Sequence, residues 1–375
     1  MKMVDFLVFS DLHLHNYPLF GGSTMEGLNR RARYIVKALN GVSDFAVENK
    51  VPTIVFCGDW FVPRMHVDFA LVNIIRDWII GLNKIGIKLV VVEGNHDKHA
   101  GDVDGVYVLK DYQDNLYFGN RNRDVGFVPV NEDYGFLIAP FVKDEKELRS
   151  QILSRLDKIR KVEPRPLILL AHTPVFHAKA PSGYSFPFGF VLDKKVQKNF
   201  IGGFFGDNHK YSELAKGFYS VGSLTQLNFG DVGGFRGFLS VSIDGGRLLV
   251  EREFDKSQPL FLAYNHPMDA ATESVIGNVK KRDKRNHVRI VSKKLLSDSE
   301  LEFYQGKFKY LEIVYSIESS KVVSDSRKFL VSKRDAFYEY LKENSKKGKF
   351  IFEGETYRYD KVIKRAEGLF NDTAE

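Results

Sequence analysis

The chain has 375 residues, more than the roughly 100–200 of one ordinary domain, and its 43% hydrophobic and 27% charged composition excludes overall disorder. A lone cysteine, Cys57, excludes a disulfide scaffold and a cysteine-ligated zinc cage, and it fits a reducing compartment. The net charge of +7 is unevenly spread: residues 256–375 hold 24 basic and 18 acidic side chains, +6 of the total. Such a segment suits a polyanionic partner, or it is a solvated basic face. No apolar run approaches the about 18 residues of a membrane span. The first residues lack a leader's apolar stretch. A soluble cytoplasmic protein with no membrane partner is expected, in the host cytoplasm if the chain is viral.

The first half alternates strand and helix. An apolar strand over 4–9 leads to a helix in which Leu28, Ala32, Ile35, Leu39, Val42 and Ala46 recur at helical spacing. A strand over 53–57, an amphipathic helix over 71–82 and a β-branched strand over 87–92 follow. Strands this continuously apolar belong to a sheet covered on both faces. After a loop-rich stretch come a strand over 135–139, a charged helix over 145–161 and a strand over 167–171. Residues 200–254 read as all-β, with strands over 200–205, 217–221, 235–243 and 247–254 and a hairpin turn at Asp244-Gly245-Gly246. A boundary is expected near Ser257-Gln258-Pro259. Beyond it, strands over 287–291 and 310–317 flank a helix from 297, and a last helix covers 326–343, before the basic stretch over 346–349.

Five of the strands run into polar motifs: Ser10-Asp11-Leu12-His13, Gly58-Asp59, Gly94-Asn95-His96-Asp97, His172 and Gly206-Asp207-Asn208-His209. Ligands of open α/β sheets bind at the carboxyl ends of strands, so these motifs should converge. Taken singly, each is an ordinary loop or turn; together and in this order they point to a metal site. The donors are carboxylate, amide and imidazole without thiolate, a mixture suited to Mn²⁺, Fe²⁺ or Zn²⁺. They are too many for one ion, and a shared carboxylate would let two ions sit about 3.5–4 Å apart. Aromatic residues of the 176–190 loop are candidates for stacking on bases or for packing over the core. The extra histidines His15, His66, His99 and His177 read as solvated loop residues.

The order D-x-H, G-D, G-N-H-D, H, G-x-x-H resembles the calcineurin-like metallophosphoesterase superfamily. Within it, Gly58-Asp59-Trp60-Phe61 with Arg64, Tyr219-Ser220-Val221-Gly222-Ser223 and Asn228-Phe229-Gly230-Asp231 are similar to the SbcD-type repair nuclease subunit and its phage recombination counterparts. The resemblance covers residues 3–254. It implies an α/β fold, a four-layer sandwich of two mixed β-sheets flanked by helices, with a smaller C-terminal α+β cap. The implied division is a catalytic core over 1–256, a capping and DNA-binding domain over 257–325, and a C-terminal helix and basic tail over 326–375 that docks an ATPase partner. It implies two divalent ions, manganese first and magnesium as the alternative. Asp11, His13 and His209 would hold one ion, Asn95 and His172 the other, and Asp59 both. His96 would protonate the leaving oxygen and Asp97 would orient His96. Asp207 stands where the family has histidine, either as a carboxylate ligand of the second ion or as the mark of a weakened site.

The implied activity is a DNA exonuclease or endonuclease of repair, recombination or replication, partnered by DNA, by an SMC-like ATPase of the SbcC type and by a second copy of the chain. Arg64, Lys280, Lys281, Arg282, Lys284 and Arg285 are the candidate DNA contacts. The alternatives are a stand-alone phosphatase or phosphodiesterase acting on small phosphate esters, and a non-catalytic DNA-binding assembly subunit.

Overall fold

The computed structural model describes residues 3–17, 24–62, 68–98, 109, 116–118, 125–181, 183–254, 256, 258–277, 279, 283–316, 349–352 and 355–358. The chain divides into two compact units, Met1–Ile317 and Glu318–Glu375. Within the second, the described residues form one antiparallel hairpin, Lys349–Phe352 with Glu355–Arg358. The expected helix over 326–343 lies outside the described residues.

The first unit is built on two six-stranded mixed sheets. One has the order Arg247–Glu253, Phe238–Asp244, Phe6–Phe9, Thr53–Phe56, Lys88–Val91, Leu116–Phe118. The other has the order Ser212–Ala215, Phe218–Ser220, Gly202–Gly206, Leu167–His172, Gly135–Ala139, Gly126–Pro129.

Strand alternation explains why both stack and both are covered. Phe6, Val8, Val55 and Val90 point to one side and meet Phe136, Ile168, Leu170 and Phe204 of the second sheet in a shared core. The intervening Leu7, Phe9, Ile54, Phe56 and Leu89 face the helices Arg30–Glu48 and Phe69–Lys84. Leu137, Leu167 and Leu169 face the helix Glu145–Ile159. A fully buried side chain of this size contributes about 1.5–3 kcal/mol, so both faces of each central strand stabilise the stack. The result is helix, sheet, sheet, helix, the expected four-layer sandwich.

A third sheet follows, with all-parallel strands Phe261–His266, Asp283–Ser292 and Phe308–Tyr315 joined through the helices Ala270–Gly277 and Asp298–Lys307. Ile276, Val288, Ile290 and Tyr304 make its core. It docks on the start of the helix Arg30–Glu48, which Asn29 caps by accepting the Ala32 N–H. From that first turn Arg30 donates to the Arg285 carbonyl at 2.9 Å and lies 3.6 Å from the Tyr310 ring centroid. Among the described residues, no helix is long and apolar enough to cross a membrane.

Candidate metal centre

Parallel strands bring their ends to one edge. Phe6–Phe9, Thr53–Phe56 and Lys88–Val91 are parallel neighbours, as are Leu167–His172 and Gly202–Gly206. Each breaks from extended backbone just after its last residue. Asp11, His13, Asp59 and Asp207 adopt φ of 51°, 46°, 70° and 82°, the left-handed region that non-glycine residues enter only when surroundings hold them. That four donor residues share this strain turns their side chains back over the sheet edge. Close approach adds a second requirement. A Cβ on Gly206 would collide with the Cys57 carbonyl, Ser10 Oγ and His172 Nδ1, so the two sheets meet here only over glycine.

Most of the donor atoms lie within a few ångströms of one another. His13 Nε2 is 3.3 Å from Asp59 Oδ2 and 3.7 Å from Asp11 Oδ1. His172 Nε2 is 3.5 Å from Asp59 Oδ1, 3.1 Å from Asn95 Oδ1 and 3.8 Å from Asp207 Oδ1. His209 Nε2 is 3.9 Å from Asp11 Oδ1 and 3.3 Å from His13 Nε2. Asp11, His13 and His209 form one group with donor atoms close enough for a single ion; Asp11, Asp59 and His172 form another.

Two imidazoles are locked by acceptors on their far side. His172 Nδ1 donates to the Cys57 carbonyl at 2.6 Å, and His209 Nδ1 lies 3.1 Å from Asp231 Oδ1. A carbonyl or carboxylate takes the Nδ1 proton, so Nε2 is left for the cluster.

The charges explain what this cluster is suited to hold. Burial raises the Asp11 pKa, but His13, His209 and His172 outweigh it and hold the carboxyl at about 2. Burial pushes Asp59 up to about 6 against the pull of His172 and His13. Burial also raises Asp207. His172 and His209 go the other way: burial disfavours their charge, yet the carboxylates around them raise each to about 9. Without an ion, imidazolium protons therefore offset the buried carboxylates. Imidazole Nε2 atoms 3.3 Å apart and ringed by carboxylate oxygens form a donor-rich, negative pocket in which a divalent cation can take the place of those protons. The donor set fits divalent metal.

His96 and Asp97 part company. His96 Nδ1 donates to the Val62 carbonyl at 2.7 Å, and its backbone N–H donates to Asp59 Oδ1 at 2.8 Å. Asp97 was expected to orient His96. Instead its carboxylate accepts the N–H groups of Asp59, Trp60 and Gly94 at 2.8, 2.8 and 2.9 Å. Neighbours in a tight loop face opposite ways, so Asp97 fixes the backbone that carries Asp59, and a main-chain carbonyl fixes His96.

His96, Asp207, His209, Asn95 and Tyr17 line a cavity of about 350 Å³ at the centre. His15, expected as a solvated loop residue, is buried; burial and the Arg31 cation hold its pKa down at about 4. Of the candidate DNA contacts, Lys284 and Arg285 are exposed at the start of the third sheet. Arg64, Lys280, Lys281, Arg282, His66 and His99 lie outside the described residues.

Asp231 is the functional candidate that the sequence alone left without a role. Its motif was visible, but its partner lies 22 positions back and only the fold brings them together. The carbonyls of Cys57 and Val62 carry no side-chain signal at all.

A family model described as calcineurin-like phosphoesterase matches residues 4–211, more than half of the chain. Among solved structures, a dimetal phosphatase from Danio rerio is similar over 67% of this chain and 96% of its own, at 11% identity and a TM-score of 0.44. The nuclease MPE from Pseudomonas putida is similar over 44% of this chain and 60% of its own, at 16% identity and a TM-score of 0.23. No curated protein matches the sequence.

Proposed function

The chain belongs to the calcineurin-like phosphoesterase family, and from that premise we propose that it is a two-metal DNA nuclease, acting in repair, recombination or replication with an SMC-like ATPase of the SbcC type. The observation that carries the hydrolytic part is Asp59. Its two carboxylate oxygens face different imidazoles, His13 at 3.3 Å and His172 at 3.5 Å, so one side chain touches both halves of the donor set. Asp11, His13 and His209 would hold the first ion, Asn95, His172 and Asp207 the second, with Asp59 shared. Bound there, two Mn²⁺ or Mg²⁺ ions would supply an activated water and neutralise charge on the phosphate.

The protein's own groups do the rest. The cluster's carboxylates and imidazoles hold the reacting phosphate's surroundings rigid, because each is fixed by strained backbone or by a hydrogen bond behind it. Water adds to phosphorus, releasing its proton to solvent, as the P–O bond to the leaving group breaks. His96, with Nδ1 bonded to Val62, keeps only Nε2 to offer the cavity. Its cation donates that Nε2 proton to the departing oxygen.

Charge supports DNA as the substrate. Residues 256–317, which hold the third sheet, carry 11 basic and 7 acidic side chains. A phosphatase for small esters has no use for such a surplus, whereas a polyanion does. The test is a comparison of rates on an oligodeoxynucleotide, bis(p-nitrophenyl) phosphate and p-nitrophenyl phosphate with Mn²⁺ present. Cleavage of the oligonucleotide and the diester over the monoester is expected. Turnover of the monoester alone would favour a phosphatase, and no turnover of any would favour an assembly subunit.

A further inference from the structure

A second cavity, of about 400 Å³, is built from the same stretch of chain that serves the metal centre. Asp207 and His209 line the first cavity; Lys210 and Ser212 line the second. The loop after His172 completes its wall with Phe176, His177 and Lys179. That loop is held in shape. Phe176 donates its N–H to the Phe190 carbonyl at 3.1 Å, Phe190 is fully buried, and Asn208 Nδ2 donates to the Lys179 carbonyl at 3.1 Å. His177 takes a φ of 63°, another strained residue beside the site.

Its chemistry selects a class of ligand. The volume lies in the range of small-molecule pockets, about 300–1,000 Å³. Phe176 keeps 39% of its surface exposed and packs on the His177 ring at 3.8 Å between centroids, which offers a broad aromatic face. Lys179 and Lys210 supply cations against one carboxylate, Glu213, among the described lining residues. An aromatic face and two cations suit a base with its phosphate.

We propose that this cavity is a nucleotide subsite holding the strand that flanks the phosphate under attack. Phe176 stacks on a base, and Lys179 and Lys210 neutralise a backbone phosphate. The subsite rests on the nuclease function proposed above and adds to it a place for the substrate beyond the reacting bond.

Two measurements on the full chain separate the two. Binding of a dye-labelled single-stranded oligodeoxynucleotide is followed by anisotropy in EDTA, and hydrolysis of bis(p-nitrophenyl) phosphate in Mn²⁺ reports on the metal centre. Phe176→Ala should weaken oligonucleotide binding by about 10-fold or more. Lys179→Ala should lower the slope of log affinity against log salt by about 0.7. Both should leave hydrolysis of the small diester at the wild-type rate. Unchanged affinity and salt slope in both variants would overturn the subsite while leaving the nuclease function standing. Loss of affinity for free dAMP with oligonucleotide binding intact would also overturn it, since the cavity would then serve a mononucleotide. A wild-type chain that hydrolyses the small diester but neither binds nor cuts oligonucleotides would overturn the nuclease function and the subsite together.

Discussion

A histidine whose Nδ1 proton goes to a backbone carbonyl has only Nε2 left for chemistry. His96 is in that position, bonded to Val62 and lining the cavity. His96→Gln should keep both metals and lose about 10²–10⁴-fold in kcat, measured as turnover beside metal content. Loss of metal in step with activity would make His96 a ligand, a role its nearness to His13 and Asp59 also permits. Asp207 is the other residue on which the chemistry turns. Its backbone is left-handed at φ 82°, and its carboxylate points at His172 from 3.8 Å. Asp207→Ala should weaken binding of the second ion by about 10-fold or more in a calorimetric titration, while Asp207→His should retain two ions and shift preference toward Mn²⁺ over Mg²⁺. Two equally tight ions in Asp207→Ala would show that the carboxylate is idle. The donors themselves were readable because polar residues abruptly follow apolar strands. The role of Asp97 was not, because its partners are three backbone N–H groups with no letter in the sequence.

The segment 226–231 ties the third sheet to the metal centre. Gln226 Oε1 accepts the Phe261 N–H at 2.9 Å, Gln226 Nε2 donates to the Asp231 carbonyl at 3.0 Å, and Asp231 holds His209. Asp231→Asn should lower metal affinity about 10–100-fold at the site His209 serves, with an unfolding midpoint close to wild type when metal is absent. A matched fall in both would make Asp231 merely structural. The same junction should be acid-sensitive. His287 accepts from Arg30 Nη2 at 2.7 Å and is buried; burial, Arg30 and Arg31 hold its pKa at about 3 against 6.5 for the free side chain. A depressed histidine stabilises the fold fully above pH 6.5, and that contribution is lost as pH falls toward 3. The urea midpoint should therefore drop between pH 7 and 4.5, and less so in His287→Gln. Equal acid dependence in both would place the effect elsewhere. The sequence hid much of this junction. The strand Phe261–His266 does open on apolar letters, Phe261 to Tyr264, but they directly follow the expected boundary at 257–259 and only Phe261 is buried, while Ser212–Ala215 is a half-polar edge strand.

For the whole molecule, the core strands were legible because each is apolar on both faces, which only a covered sheet demands. Their pairing order was not, since the crossover from Phe6–Phe9 to Phe238–Asp244 spans most of the first unit. That crossover lets motifs from residues 11 to 209 meet at one edge, where the metal chemistry is expected. The most direct measurement is cleavage of linear duplex and single-stranded DNA by metal-stripped protein, with Mn²⁺, Mg²⁺ or EDTA added. Cleavage restored by Mn²⁺, more weakly by Mg²⁺ and absent in EDTA is the expected result, because imidazole donors favour the softer ion. Undiminished cleavage in EDTA, or none with either ion, would contradict it.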